Sequence, residues 1–261
     1  SLYIEHLNAR DKGIDTLRKM LDIEEGREQA IEQLTQIHVN ASEWDALVKL
    51  YIDLDRAPQI YELLDLTAGD QDDDDVQIEL FERMASVAQD HLHDDDMAIE
   101  AYEKILEVDS THEKTAKRLL AFYKERGEHA KAIDAIQIII AWTSNIEEKI
   151  AKHVEIADLY ENALIDIDNA ANWYAKAVAL APERKEMREH FEMLVEKNDA
   201  RALLYDVYQA QRCNENLDGE ARISIHRVLA RTCQQYLNKS EDAISCWEVC
   251  LTADEHDMEA I

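Results

Sequence analysis

The chain repeats a pattern of small and large apolar side chains at helical spacing. In one stretch Ala98 is followed by Tyr102 and Ile105, and positions i, i+4 and i+7 lie on one stripe of a helix. Seven such trios follow one another, and the alanines that open them are 27 to 43 residues apart: Ala30, Ala57, Ala98, Ala132, Ala170, Ala200 and Ala243. The pattern predicts seven amphipathic helices, each with a small residue where a neighbouring helix packs closely.

A second apolar stripe lies upstream of every trio, as Leu119 and Tyr123 do before Ala132. The composition favours helix nearly throughout, because Ala, Leu, Glu and Lys are abundant and there are only five glycines and two prolines. Each unit is therefore predicted to be two amphipathic helices joined by a short turn.

Two units have less chain between their stripes than the others. Tyr51 precedes Ala57 by six residues, and Leu194 precedes Ala200 by six, where the remaining units have nine or ten. These two units are predicted to have shorter helices or a tighter turn.

The paired helices resemble the tetratricopeptide repeat (TPR), a two-helix unit with a period near 34 residues. The residues that best match its first helix are Trp44, Leu47, Val48 and Tyr51, and those that best match its second helix are Ala170, Tyr174, Ala177 and Pro182. The resemblance implies an all-α fold, a right-handed superhelical solenoid of about seven antiparallel helix pairs.

We predict one solenoid domain over residues 1–261. The approximate units are 11–42, 43–69, 76–110, 111–144, 148–182, 184–212 and 220–255. Residues 1–10 and 256–261 are predicted to be parts of neighbouring helices, because Leu2, Tyr3, Ile4 and Leu7 form an apolar stripe and Ala260 resembles the opening of another first helix. We therefore expect the chain to be a segment of a longer array.

The formal net charge of −29 narrows the classes of partner. A chain this acidic repels nucleic-acid phosphates and anionic membrane surfaces. Apolar runs are too short to span a membrane, and we expect a cytoplasmic location. The charge keeps an extended surface soluble, and it also favours basic partners. Residues 70–96 carry 11 acidic side chains against only Arg83, so we predict an acidic surface there that attracts a basic segment.

The chain offers little support for catalysis, and we expect no cofactor and no resident metal. It has no glycine-rich phosphate loop, no nucleophile elbow and no HExxH motif. Cys246 and Cys250 have a spacing that suits metal ligands, and Cys233 and His226 are predicted to face them from the preceding helix. Packing in the core remains the stronger explanation for these cysteines.

The resemblance implies where a partner binds, because in this family the first helices line a concave face that holds ligands. The charged and polar residues that this places on the face are Glu79, Glu82, Gln89, Lys114, Lys117, Lys124, Asp158, Glu161, Lys185, Arg188, Arg227 and Arg231. Their signs alternate along the chain. Such alternation is typical either of a solvated groove or of a surface that reads the charge pattern of a partner.

The predicted function is a non-catalytic scaffold or adaptor that binds a peptide or a protein segment in its concave groove. One alternative is a regulatory or anchoring arm of a longer chain that carries an enzyme domain elsewhere. A second alternative is a metal-responsive or redox-responsive binder that uses the C-terminal cysteine and histidine residues.

Overall fold

The protein is described by a computed structural model that covers residues 2–215, 217–254, 257 and 259–260. Within these residues there are fourteen α-helices and no strand, which confirms the all-α prediction. The helices are α1 (Leu2–Met20), α2 (Arg27–Asn40), α3 (Trp44–Asp53), α4 (Ala57–Gly69), α5 (Asp74–Val87), α6 (Asp95–Val108), α7 (Glu113–Arg126), α8 (His129–Trp142), α9 (Ile146–Asp158), α10 (Ile167–Leu180), α11 (Lys185–Lys197), α12 (Arg201–Gln211), α13 (Gly219–Thr232) and α14 (Ser240–Ala253).

Short turns join consecutive helices into seven antiparallel pairs, from α1–α2 to α13–α14. One predicted boundary is wrong, because α1 runs continuously from Leu2 and residues 2–10 belong to the first pair. The side chains of the predicted N-terminal stripe (Leu2, Tyr3, Ile4 and Leu7) lie outside the described residues, as do residues 256, 258 and 261 of the predicted C-terminal segment.

The chain divides into two compact units, Ser1–Thr115 and Ala116–Ile261, which are described separately below. The single domain over residues 1–261 and its right-handed superhelical course stay predictions.

Side chains that accept backbone hydrogen bonds begin several of the helices. Asp73 accepts from the N–H groups two and three residues later, at 3.0 and 3.4 Å, and Asp94 does the same at 3.0 Å for both. Asn145, Asp166 and Asp218 cap α9, α10 and α13 in the same way. Such a cap stabilises a helix by about 1 kcal/mol, so part of the acidic composition supports the helices themselves.

The alanines predicted at helix contacts are mostly buried. Those inside their helices are at most 4% exposed, namely Ala30, Ala98, Ala132, Ala170 and Ala243. Ala57 and Ala200 are only half-buried, because the first opens α4 and the second precedes α12. In these two helices larger residues are buried instead, among them Leu64 and Tyr208.

From the second pair onward, the turn that joins the two helices of a pair contains one residue with a left-handed backbone conformation. These residues are Asp55, His93, Gly127, Ile165, Asp199 and Asn238, with φ between 53° and 67°. Successive members are 38, 34, 38, 34 and 39 residues apart. The structure therefore repeats every two helix pairs, at 72 or 73 residues, rather than every pair.

The two kinds of pair differ at the end of the first helix. In α5, α9 and α13 a π-helical turn extends the helix, over Ala88–Leu92, Leu159–Ala163 and Cys233–Leu237. The pairs that begin with α3, α7 and α11 lack this extension in the described chain. Two of their helices are short, with 10 residues in α3 and 11 in α12, as the spacing predicted.

In the second unit, α10 packs against both α9 and α11. Ala157 of α9, Tyr174 of α10 and Phe191 of α11 belong to one buried cluster. The ring of Phe191 meets that of Tyr208 edge to face, with centroids 6.2 Å apart. Through this core, α10 positions α9 and α11 side by side.

Candidate functional site

Most of the charged residues predicted on the concave face are bound within the chain. In the first unit, Glu82 of α5 pairs with Lys114 of α7 at 2.7 Å, and Glu79 pairs with Arg83 in its own helix at 3.0 Å. Gln89 accepts a hydrogen bond from the hydroxyl of Tyr102 at 3.1 Å. The contacts of Glu82 and Gln89 connect neighbouring helices, and that of Glu79 lies within α5, so the three predicted residues have partners inside the chain.

Predicted residues in the first part of the second unit also have partners inside the chain. Lys124 of α7 pairs with Glu155 of α9, and Glu161 pairs with His190 of α11 at 2.7 Å. Asp158 accepts a hydrogen bond from the Tyr174 hydroxyl at 2.6 Å. Lys117 and Lys185 are exposed, and Lys185 lies 4.0 Å from Glu189 with its side chain 65% exposed.

At the end of the described chain, Arg227 pairs with Asp257 at 2.5 Å and Arg231 pairs with Glu259. The prediction for Arg188 is wrong, because it is 3% exposed and donates to the backbone carbonyl of Pro182. A surface ion pair contributes about 0–1 kcal/mol, so these pairs satisfy the alternating charges of neighbouring first helices and add little stability.

A cleft of about 1120 Å³ opens between α9 and α11. Ile150, Val154 and Met187 form an apolar floor, with Ile150 buried and the other two half-buried. Ala151 adds a small exposed side chain, and Ala163, in the π-helical turn after α9, lies at one end. We call this space the α9–α11 cleft.

Ionisable side chains surround the apolar floor. The carboxylates that line the cleft are Glu155, Asp158 and Glu186, and the basic residues are Arg184, Lys185 and His190. Burial acts to raise the pKa of Glu155, but hydrogen bonds from Lys124 and Lys152 outweigh it and hold the pKa below its usual value. Burial, aided by the hydrogen bond to Asp158, raises the pKa of Tyr174.

The α9–α11 cleft contains two of the predicted residues, Asp158 and Lys185. The sequence reasoning missed its floor, although a signal was present. Ile146, Ile150 and Val154 recur every four residues, a stripe on α9 additional to the core stripe that includes Ile156. A second apolar stripe on one helix is an indication of a face that packs against something else.

The acidic run does not form one surface. Its residues 70–75 lead into the first turn of α5, and its residues 94–96 lead into the first turn of α6. Because α5 and α6 are antiparallel, these runs lie at opposite ends of the pair, about 20 Å apart for a 14-residue helix. The prediction of a single acidic surface over residues 70–96 is therefore wrong.

Three of the four cysteines are buried: Cys233, Cys246 and Cys250. Burial raises the pKa of all three thiols, and that of Cys246 reaches about 11. A raised pKa favours the protonated thiol, whereas a metal ligand or a nucleophile must be a thiolate. Packing therefore accounts for these cysteines, and no metal-ligating cluster of histidine, cysteine and carboxylates is present among the described residues.

The described part of the chain contains no helix whose length and apolar character suit it to cross a membrane.

No protein-family model and no curated protein matches the chain. Among solved structures, it is similar to the C-terminal part of a TPR repeat-containing protein from Cytophaga hutchinsonii, with 14% identity, 95% of this chain and 97% of that chain covered, and a TM-score of 0.34. It is also similar to pilF from Pseudomonas aeruginosa, with 14% identity, 90% of this chain and 96% of that chain covered, and a TM-score of 0.30. A third similar structure is the TPR domain of P58(IPK), with 14% identity, 98% of this chain and 83% of that chain covered, and a TM-score of 0.32. The chain's own helices show an all-α array of helix pairs similar to tetratricopeptide repeats.

Proposed function

We propose that the chain is a non-catalytic interaction scaffold whose α9–α11 cleft binds a basic, amphipathic segment of a partner protein. The observation that carries the proposal is the apolar floor of Ile150, Val154 and Met187 between two successive first helices. A cleft of this size holds one large side chain together with its flanking backbone.

The charges favour a basic segment. Three carboxylates line the cleft, of which Glu155 is already paired with two lysines, and the basic side chains are Arg184, Lys185 and His190. Arg184 is already paired with Glu147, which removes part of its attraction for an anionic ligand. The formal charge of −29 adds a long-range attraction for cations. An apolar residue flanked by lysine or arginine matches both the floor and the rim.

The binding mode follows from the position of the floor. Ile150 and Val154 are one helical turn apart, so a partner helix that lies along α9 places residues i and i+4 over them. The burial of one leucine or phenylalanine contributes about 1.5–3 kcal/mol, and the flanking charges increase the rate of association.

A variant that fills the cleft tests the proposal. Peptides are selected from a random displayed library on the wild-type chain, and their affinities are measured by fluorescence polarisation. Ala151→Trp places an indole in the cleft and is expected to weaken binding by at least about tenfold. Ala210→Trp is the matched control, because Ala210 is an exposed residue of α12 outside the cleft.

The selected peptides are expected to combine a large apolar residue with lysine or arginine. Peptides without that combination, or peptides that bind Ala151→Trp as tightly as the wild type, would contradict the proposal. The alternative that the chain is an anchoring arm of a longer protein stays a prediction.

A further inference from the structure

A second cleft, of about 330 Å³, lies among α12, α13 and α14 and differs from the first in its charge. It is lined by Gln209, Arg212, Cys213, Arg222, His226 and Val249. Two of these six residues are arginines and none is a carboxylate. In a chain with a formal charge of −29, a cleft lined in this way is an exception that calls for a specific explanation.

The fold brings these residues together from three helices. Arg212 and Cys213 directly follow α12, whereas Arg222 and His226 lie one turn apart on α13 and therefore share a face. Val249 of α14 contributes an apolar side chain. Because these helices belong to one buried core, the two guanidinium groups and the imidazole are positioned before any ligand arrives.

Arg212 is held in place by polar neighbours. It donates hydrogen bonds to Gln209 at 3.2 Å and to Asp242 at 3.3 Å, and also to the hydroxyl of Ser245. The carboxylate of Asp242 balances the charge of this one arginine. The other arginine of the cleft, Arg222, is not paired with this carboxylate.

Two polar atoms of the cleft are unpaired. Nε of Arg222 and Nδ1 of His226 are buried and have no hydrogen-bond partner within the described part of the chain. His226 is 4% exposed, and Arg222 makes no ion pair with a described carboxylate. Its one described hydrogen bond goes to the backbone carbonyl of Asn214, at a long 3.4 Å. A guanidinium in this state retains the capacity to bind an oxyanion.

We propose that this cleft binds a phosphate group, with Arg222 and Arg212 as its charged donors and His226 at its base. Phosphate fits better than a carboxylate, because two planar guanidinium groups that approach from different helices match several oxygens around one centre. The proposal concerns a site away from the α9–α11 cleft and does not depend on the proposed function.

The neighbouring Cys213 provides a reporter. It lines the same cleft and is exposed, whereas the other three cysteines are buried. Alkylation by iodoacetamide, an uncharged reagent, is therefore expected to modify Cys213 selectively in the folded chain. A phosphate group bound in the cleft shields this thiol, so the alkylation rate, followed by mass spectrometry, measures occupancy.

The experiment titrates the full chain with inorganic phosphate, with phosphoserine and with acetate, at constant ionic strength maintained with chloride. Saturable slowing of Cys213 alkylation by inorganic phosphate, by phosphoserine or by both supports the proposal. Tighter binding of inorganic phosphate indicates that the ligand is a free anion, and tighter binding of phosphoserine indicates a phosphorylated side chain. Equal protection by acetate, or no saturable protection by either phosphate ligand, would overturn it.

Two variants separate a specific site from general screening. Arg222→Gln is expected to weaken phosphate protection by at least about tenfold, the usual effect of losing a charged hydrogen-bond donor. Arg18→Gln changes the net charge equally, at an exposed position of α1, and is expected to bind as the wild type does. Circular dichroism verifies that both variants are folded. Unchanged protection in folded Arg222→Gln, or equal losses in both variants, would refute the assignment.

Discussion

Ile165 provides a test of the left-handed turns inside the pairs, because a β-branched residue occupies such a position there. Its φ is 55° and its side chain is 71% exposed. The left-handed conformation costs a residue with a Cβ about 1–2 kcal/mol, and asparagine tolerates it better. Since complete burial of isoleucine contributes about 1.5–3 kcal/mol, the part of Ile165 that is buried contributes less than about 1 kcal/mol. Ile165→Asn should therefore raise the free energy of unfolding by about 0.5–1 kcal/mol.

The equivalent turn supplies the reverse experiment. Asn238 has φ 53° and is exposed, so Asn238→Ile is expected to lower the free energy of unfolding by about 1–2 kcal/mol. Ile244→Asn is the control, because Ile244 is 59% exposed inside α14, where asparagine has no backbone advantage and should be neutral or destabilising. Urea unfolding followed by circular dichroism measures all three. Destabilisation by Ile165→Asn, or no effect of Asn238→Ile, would refute the reasoning.

Three further predictions concern ionisable side chains. A hydrogen bond from Arg10, and to a smaller extent one from His38, lowers the pKa of Glu43 to about 2. The contribution of Glu43 to the stability of the fold is therefore complete above its unfolded pKa of about 4.3 and is lost as the pH falls towards 2. Glu43→Gln should cost about 1 kcal/mol at neutral pH, since the carboxylate is partly exposed, and urea unfolding should show no difference at pH 2. Tyr208→Phe leaves the half-buried carboxylate of Glu192 without its donor and should cost about 1–3 kcal/mol in the same assay. Cys246 should react with iodoacetamide only in urea, and modification under native conditions would contradict its burial.

The helix pairs could be predicted because apolar spacing depends on local geometry alone. Ala98, Ala132 and Ala170 lie inside 14-residue helices and are fully buried, as the pattern indicated. Ala57 is only half-buried, because α4 starts at that residue and the preceding turn of helix that would cover it is missing. A stripe of residues shows which face is apolar, but it does not show how many residues each helix contributes.

The candidate sites were harder to predict, because their properties depend on pairing between helices. In the sequence, Lys124 and Asp158 look like any polar residue of a groove. In the structure, Lys124 pairs with Glu155, and Asp158 accepts a hydrogen bond from Tyr174. Arg188 looked like a surface cation and lies buried against a backbone carbonyl. Sequence spacing identifies a helix face, but the residue opposite that face depends on where each helix ends, and the π-helical extension of the first helix occurs only in alternate pairs.

The pairing of charges explains why the two clefts are the places where binding capacity remains. Where successive first helices approach, a carboxylate on one meets a cation on the next, as Glu82 meets Lys114, and each group loses most of its attraction for an outside ligand. In the α9–α11 cleft the helices enclose an apolar floor in which Val154 and Met187 are only half-buried. In the second cleft Arg222 has no described carboxylate opposite it. Under the two proposals, a partner contributes what the chain does not provide at each place, an apolar side chain at the first and an anion at the second.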